Sequence, residues 1–297
     1  MPENRLFCFG LGYTGERLAR TALAQGWRVA GTCRSSNKAA LLRDAGIEAF
    51  IFDGQQPLDT NALAGTTHLL CSVPPDSEGD PVLRLHRDRL KELSPPPQWL
   101  GLLSTTGVYG DCQGAWIDET RTPNPLTEAN QMRLEAEQAW QGLGAELGRA
   151  TWIFRVAGIY GPEGRNVLDH LTSGGVRRLV KPGQFFNRVH VDDLVSAIWA
   201  ALGHPGPGAV LNVCDDLPAP ADAVLCYGAE LLGIEPPPAE PWEPLALSPF
   251  ARHFYAENRR LRNDRLKQVL GLTLAYPSYR EGLRALAATR QATDSPD

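Results

Sequence analysis

Near the start of the chain, LFCFGLGYTG at Leu6–Gly15 joins an apolar run to three glycines, Gly10, Gly12 and Gly15. Arg5–Phe9 reads as a strand. Gly15–Gln25 reads as a helix with Leu18, Ala19, Ala22 and Leu23 on one face. Few folds need a strand that opens into a helix through Gly-x-Gly-x-x-Gly. The first glycine permits a tight turn, the second lets a pyrophosphate approach the backbone, and the third lets the helix pack on the strand. The helix N-terminus then offers N–H groups and a positive dipole end to the phosphates. These residues predict a dinucleotide site at Gly10, Gly12, Tyr13, Thr14 and Gly15, against the plainer alternative of a purely structural turn.

The same alternation continues downstream. Strands are expected at Trp27–Thr32, Glu48–Phe52, Thr67–Val73, Leu100–Ser104 and Thr151–Ala157, with helices at Ala39–Ala45, Val82–Leu93 and Gln131–Leu147. Strand–helix alternation at this spacing predicts an α/β fold, a doubly wound parallel sheet with helices on both faces. Past Gly161 the pattern loosens. Helices are expected at Val167–Ser173, Val191–Leu202, Asn263–Leu270 and Arg280–Thr289, and a strand at Val210–Cys214. The proline-rich EPPPAEPWEPLALSP at Glu235–Pro249 is expected to be extended or looped, and the last few residues disordered. The expected division is a nucleotide-binding domain at 1–160, with 185–215 returning to it, and a smaller interleaved C-terminal substrate lobe at 161–184 and 216–297.

The position about 20 residues past the glycines, at the end of the second strand, distinguishes the dinucleotides. An acid there holds the ribose 2′-OH of NAD. This chain has GTCRSS instead, with Arg34 followed by Ser35 and Ser36. An arginine accommodates a 2′-phosphate, so NADP is the expected cofactor and NAD the second choice. Asp53, in FIFDG, is a candidate for the adenine amino group, and Val73 a candidate wall of the same site. The net charge of −5 contains no block of one sign, which argues against nucleic acid and anionic membrane surfaces as partners. The six cysteines lack the spacing of a metal knuckle or redox pair, so no metal is expected and the thiols read as reduced. A strand within five residues of the N-terminus and no apolar stretch of membrane-spanning length point to a cytoplasmic protein.

Three later stretches, LLSTTGVYGD at Leu102–Asp111, FRVAGIYGP at Phe154–Pro162 and NRVHVDDLVSAI at Asn187–Ile198, appear in order behind the glycine loop. Together they resemble the extended short-chain dehydrogenase/reductase family, the NAD(P)-dependent epimerases and dehydratases. The resemblance covers nearly the whole chain. It implies a Rossmann domain followed by a small substrate region. It places the family's substrate-facing hydroxyl on Thr105, the catalytic candidate, and sets Ser104 beside the nicotinamide ribose. Arg188 and His190 fall on the family's substrate-facing strand, where an anionic or sugar-like group would bind.

One departure stands out. The family carries a tyrosine and a lysine as YxxxK on the following helix, with a glutamate eight residues after the tyrosine. Matching that glutamate to Glu137 puts Ala129 at the tyrosine position and Arg133 at the lysine position. Alanine cannot carry a proton, and arginine cannot be tuned as a proton shuttle, although Arg133 can still bind the ribose. Atypical members share STTGVYGD followed by GAWIDE, as at Gly114–Glu119. Tyr109 and Asp111 are the nearest candidates for contact with substrate. Two functions follow: an NADP(H)-dependent oxidoreductase or epimerase/dehydratase acting on a small, sugar-like molecule through a degenerate site, or a non-catalytic NADP(H)-binding sensor or partner-binding protein. A homodimer is compatible with both.

Overall fold

The computed structural model describes residues 4–59, 61–204, 206–242, 252 and 255–294. Residues 243–249 of the proline-rich segment and the final residues 295–297 lie outside these, so the readings made for them find no counterpart.

In chain order the first half runs β1 (Arg5–Phe9), α1 (Tyr13–Ala24), β2 (Arg28–Cys33), α2 (Ser36–Asp44), β3 (Glu48–Ile51), β4 (His68–Cys71), α3 (Pro81–Glu92), β5 (Trp99–Thr105), β6 (Trp116–Ile117), α4 (Glu128–Leu147) and β7 (Ala150–Val156). The second half adds β8 (Gly158–Tyr160), α5 (Val167–Ser173), β9 (Arg178–Val180), β10 (Arg188–His190), α6 (Val191–Leu202), β11 (Val210–Val213), α7 (Ala221–Leu232), β12 (Ala239–Pro241), β13 (Arg260–Leu261), α8 (Asp264–Leu270) and α9 (Tyr279–Asp294).

Seven strands form one sheet in the order β11-β7-β5-β4-β1-β2-β3. The pairs β1–β2, β1–β4, β2–β3 and β4–β5 are all parallel. The order steps outward from β1 in both directions, which is the doubly wound arrangement, and the expected fold class is observed. Buried Phe7, Phe9, Leu69, Leu100, Leu102, Trp140 and Ile153 pack together, fixing the sheet beneath α3 and α4. The Trp140 indole N–H donates to Asp80, the N-cap of α3, at 2.8 Å and so ties α3 to α4.

The chain falls into two compact units: 1–108, 125–155 and 195–211 form the first, and 109–124, 156–194 and 212–297 the second. These limits run differently from those expected, since 109–124, 156–160, 185–194 and 212–215 cluster with the second unit. The second unit contains three short parallel pairs, β8–β10, β9–β12 and β6–β13. Its core of Leu168, Val224, Tyr279 and Leu283 joins α5, α7 and α9. The sequence had given no reading of α7. All six cysteines carry free thiols. Among the described residues, no helix is long and apolar enough to cross a membrane.

Candidate functional site

In the first unit the glycine turn is built as its spacing requires. Gly10 has φ +95°, a left-handed conformation suited to glycine, and a Cβ there would come within 2.4 Å of Ser72 Oγ. A Cβ on Gly15 would come within 2.4 Å of the Gly10 carbonyl oxygen, so the helix can lie on the turn only without a side chain there. Gly12 differs: a Cβ on it would meet nothing within 4 Å. The backbone at Gly12 therefore faces open space. Gly12 is also the N-cap of α1, and no side chain caps that helix end. The Thr32 hydroxyl accepts from Gly10 N–H at 2.8 Å and the Thr32 carbonyl accepts from Leu11 N–H at 2.6 Å, pinning the turn to β2. Of the other loop residues, Thr14 is buried, and the Arg17 guanidinium lies 4.0 Å over the ring of Tyr13.

A cavity of about 640 Å³ opens in front of this turn, and Gly10, Gly12, Arg34, Ser35, Asp53 and Val73 all line it. Lys38, also on its wall, is a residue the sequence reading missed. It lies four residues after Arg34, in the first turn of α2, and its ammonium pairs with Glu16 at 3.0 Å. The spacing RSSNK was the available signal: Ser35 caps α2 by accepting from Lys38 N–H, so both cations belong to one helix start. Asp53 Oδ1 accepts from Gln55 N–H at 2.9 Å, a turn-forming bond made by only one of its carboxylate oxygens.

Thr105 ends β5, and its Oγ1 accepts from Gly107 N–H at 3.1 Å. That is the turn-capping role, and a hydroxyl that accepts one bond still has its own hydrogen to donate. Ser104 is buried, and its hydroxyl donates at 2.5 Å to Glu137, which is itself only 2% exposed and paired with Arg155 at 2.7 Å. Strand alternation turns Ser104 inward, so its hydroxyl ties the sheet to α4.

The Glu137 register places α4 over this strand end. Arg133 Nη1 donates to the Leu103 carbonyl at 3.2 Å. Burial draws the Arg133 guanidinium below the usual arginine range, against the opposing pull of Cys71 and Asp80. Ala129 is exposed in the first turn of α4. Its neighbour Asn130, unmarked in the sequence reading, is the residue that reaches the turn after Thr105: a Cβ on Gly107 would come within 2.5 Å of the Asn130 side-chain oxygen. Asn130, Arg133 and Glu137 are spaced three and four apart, so they share one helix face.

In the second unit, two expected substrate contacts make hydrogen bonds within the fold. Tyr109 is fully buried and its phenol donates to Asn212 at 2.8 Å. Asp111 Oδ1 accepts from the backbone N–H groups of Gln113 and Asn258, closing its own loop. His190 is likewise engaged by its neighbours. It is buried, its Nδ1 accepts from Asp192 N–H, and its ring packs 4.0 Å from that of Tyr276. Arg188 lines a cavity of about 390 Å³ lying between α5, α7, β8 and β10. Beside it is a residue the sequence reading missed, Asp215, whose backbone N–H donates to the Arg188 carbonyl at 2.7 Å. Asp215 is 1% exposed, and burial pushes its carboxyl up to about 8 while Arg188 opposes the shift. No group of metal-ligating side chains occurs among the described residues.

Comparison with known proteins places these features. A model of the NAD dependent epimerase/dehydratase family matches residues 96–214. Over 251 residues the chain is 29% identical to Protein YeeZ of Escherichia coli strain K12, covering 77% of this chain and 84% of that one. A solved structure of a functionally unknown conserved protein from Silicibacter pomeroyi is 45% identical, covering 97% of this chain and 99% of that chain at a TM-score of 0.87. MoeE5, solved with UDP-glucuronic acid and NAD, is 21% identical and covers 97% and 99% of the two chains at a TM-score of 0.77, a likeness of fold.

Proposed function

Since the chain belongs to the NAD-dependent epimerase/dehydratase family, we propose that it is an NADP(H)-binding oxidoreductase of epimerase type whose hydride site works without a tyrosine. The observation that carries this reading is the glycine turn. Gly10 and Gly15 are close-packed where a side chain would collide, whereas Gly12 is open beside an uncapped helix start. That combination suits a diphosphate. Arg34 and Lys38 at the far wall suit a 2′-phosphate, which a carboxylate in their place would repel.

The dinucleotide would supply a hydride acceptor or donor at its nicotinamide. The residues of this chain do the remainder. Gly12 and the start of α1 hold the diphosphate, Arg34 and Lys38 hold the adenosine end, and Asp53 takes the adenine amino group. Thr105 donates its hydroxyl hydrogen to the substrate oxygen where the hydride leaves or arrives. Arg133, anchored on Leu103, and Asn130, packed on Gly107, form the α4 face beside that hydroxyl. Neither moves a proton at neutral pH, so the proton comes from water or from the substrate itself.

The substrate is a small molecule. MoeE5 was solved with a nucleotide sugar, which fits the sugar-like class expected from the motifs, but at 21% identity that likeness speaks for the fold alone. The substrate class is better read from this chain's own cavity in the second unit.

Calorimetric titration of the full chain with NADPH and NADH tests the proposal. NADPH should bind more tightly, and Arg34→Ala should narrow the margin. Equal affinities in the unmutated protein would overturn the NADP reading, and no binding of either would overturn the cofactor reading altogether. Binding without turnover of any carbonyl or nucleotide-sugar substrate would favour a sensor over an enzyme.

A further inference from the structure

The cavity in the second unit has one inner wall of unusual composition. At about 390 Å³ it lies toward the small end of the ~300–1,000 Å³ typical of ligand pockets, room for one ring system and a short chain. Phe186, Tyr255 and Tyr279 line it, with Leu225 and Leu283. Phe186 and Tyr255 meet edge to face with ring centroids 5.0 Å apart, and the Arg188 guanidinium lies 5.9 Å from the Phe186 ring.

Arg188 is the guanidinium held closest to these rings; Arg165, Arg177, Arg178 and the single carboxylate Asp222 also line the cavity. Arg188 Nη1 donates to the carbonyls of Phe186 and Ala219, both at 3.0 Å, which fixes the guanidinium in place. Among the described residues it forms no ion pair. Asp215, the acid whose charge acts most strongly on it, has one carboxylate oxygen on Leu217 N–H and the other buried without a hydrogen-bond partner. Burial pushes that carboxyl up to about 8 against the pull of Arg188, and the two side chains form no ion pair. A fixed, half-buried cation that forms no ion pair attracts an anion, and a planar guanidinium matches a carboxylate in two parallel hydrogen bonds. Rings around it favour a ring in the ligand through edge-to-face and offset contacts.

We propose that the second-unit cavity binds a small aromatic carboxylic acid, with the carboxylate on Arg188 and the ring among Phe186, Tyr255 and Tyr279. Calling this acid the substrate rests on the enzyme reading above; that it binds does not. Arg165 and Arg178 lie farther along the lining and would sit beside a longer acid's tail.

The test is calorimetric titration of the full chain, with NADPH present, using 4-hydroxybenzoate, the neutral 4-hydroxybenzamide, cyclohexanecarboxylate and UDP-glucuronic acid. The benzoate should bind at least tenfold more tightly than the amide, and more tightly than the saturated acid. Arg188→Met should weaken the benzoate at least tenfold. Because Arg188 also holds two carbonyls, Val176→Trp serves as a second variant: it fills the cavity from a loop and should abolish benzoate binding while leaving that structure intact. Equal binding of acid and amide, benzoate affinity unaffected by both variants, tighter binding of UDP-glucuronic acid, or no binding of the benzoate would each overturn the proposal. NADPH affinity, measured in the same samples, separates this result from failure of the cofactor reading.

Discussion

At the scale of single residues, Arg34 and Lys38 divide one task unequally. Arg34 is the extended cation at the strand end, while Lys38 is already shared with Glu16. A charge-assisted hydrogen bond contributes about 1.5–3 kcal/mol, so Arg34→Ala should weaken NADPH by about 10–100-fold and leave NADH nearly unchanged. Lys38→Ala should cost less, and titration of both variants ranks them. A second residue-scale prediction concerns Asp215. Its carboxyl titrates near 8 in the fold against the ordinary 3.8, so the folded chain holds that proton more tightly than the unfolded one. The resulting stabilisation is full below pH 3.8 and is lost as pH rises toward and through 8. Thermal melts of wild type and Asp215→Asn at pH 5, 7 and 9 should therefore show wild type losing ground to the variant as pH rises. Parallel curves would contradict this. Arg34's place on the cavity wall was legible because a motif fixes its distance from the glycine turn. Asp215, Lys38 and Asn130 were not, because each matters through a neighbour that only the fold supplies.

At the scale of elements, the strand–turn–helix of β1 and α1 makes a sharp contrast between its glycines. Gly12→Val adds a side chain where nothing stands within 4 Å, at φ −83°, which any residue adopts. It should leave the melting temperature within a few degrees of wild type and abolish NADPH binding. Gly15→Ala forces a Cβ against the Gly10 carbonyl, and overpacking of that kind costs about 1–3 kcal/mol. It should lower the melting temperature as well as the affinity. Melting curves with and without NADPH read both effects, and a Gly12→Val protein that still binds NADPH would refute the diphosphate placement. The sequence foretold β1 to the residue, because an apolar run before a glycine turn is a local signal. It missed α7, where ADAVLCYGAELL is apolar on most sides and shows little periodicity. Gly228 of α7 lies against α5, where a Cβ would come within 2.8 Å of Val167. The two-residue strands β6 and β13 were also invisible, since they exist only through pairing with each other across a long stretch of chain.

At the scale of the whole molecule, the doubly wound parallel sheet followed from strand–helix alternation, a pattern that rarely has another solution. The limits of the two units did not follow, because 109–124 joins the second unit through pairs such as Ala115 with Arg260 and Asp111 with Asn258. Those partners lie far along the sequence and no local signal announces them. The catalytic expectation rests on a departure read from the Glu137 register, which sets Ala129 and Arg133 where the family's tyrosine and lysine are expected. Turnover of UDP-glucose or UDP-glucuronic acid should accordingly stay below about 1 per second, the low end of ordinary enzyme rates, and a steady-state assay for hydride exchange reads it directly. Ala129→Tyr alone should not raise it, because Arg133 is anchored on Leu103 and cannot lower a new phenol's pKa as a lysine would. The most direct measurement of the account is a crystal structure of the full chain with NADP bound. The account predicts the 2′-phosphate within hydrogen-bond distance of Arg34, the diphosphate against Gly12, and the nicotinamide beside the Thr105 hydroxyl with no phenol in reach of its C4. A carboxylate facing the adenine ribose, or a tyrosine hydroxyl at that carbon, would contradict it.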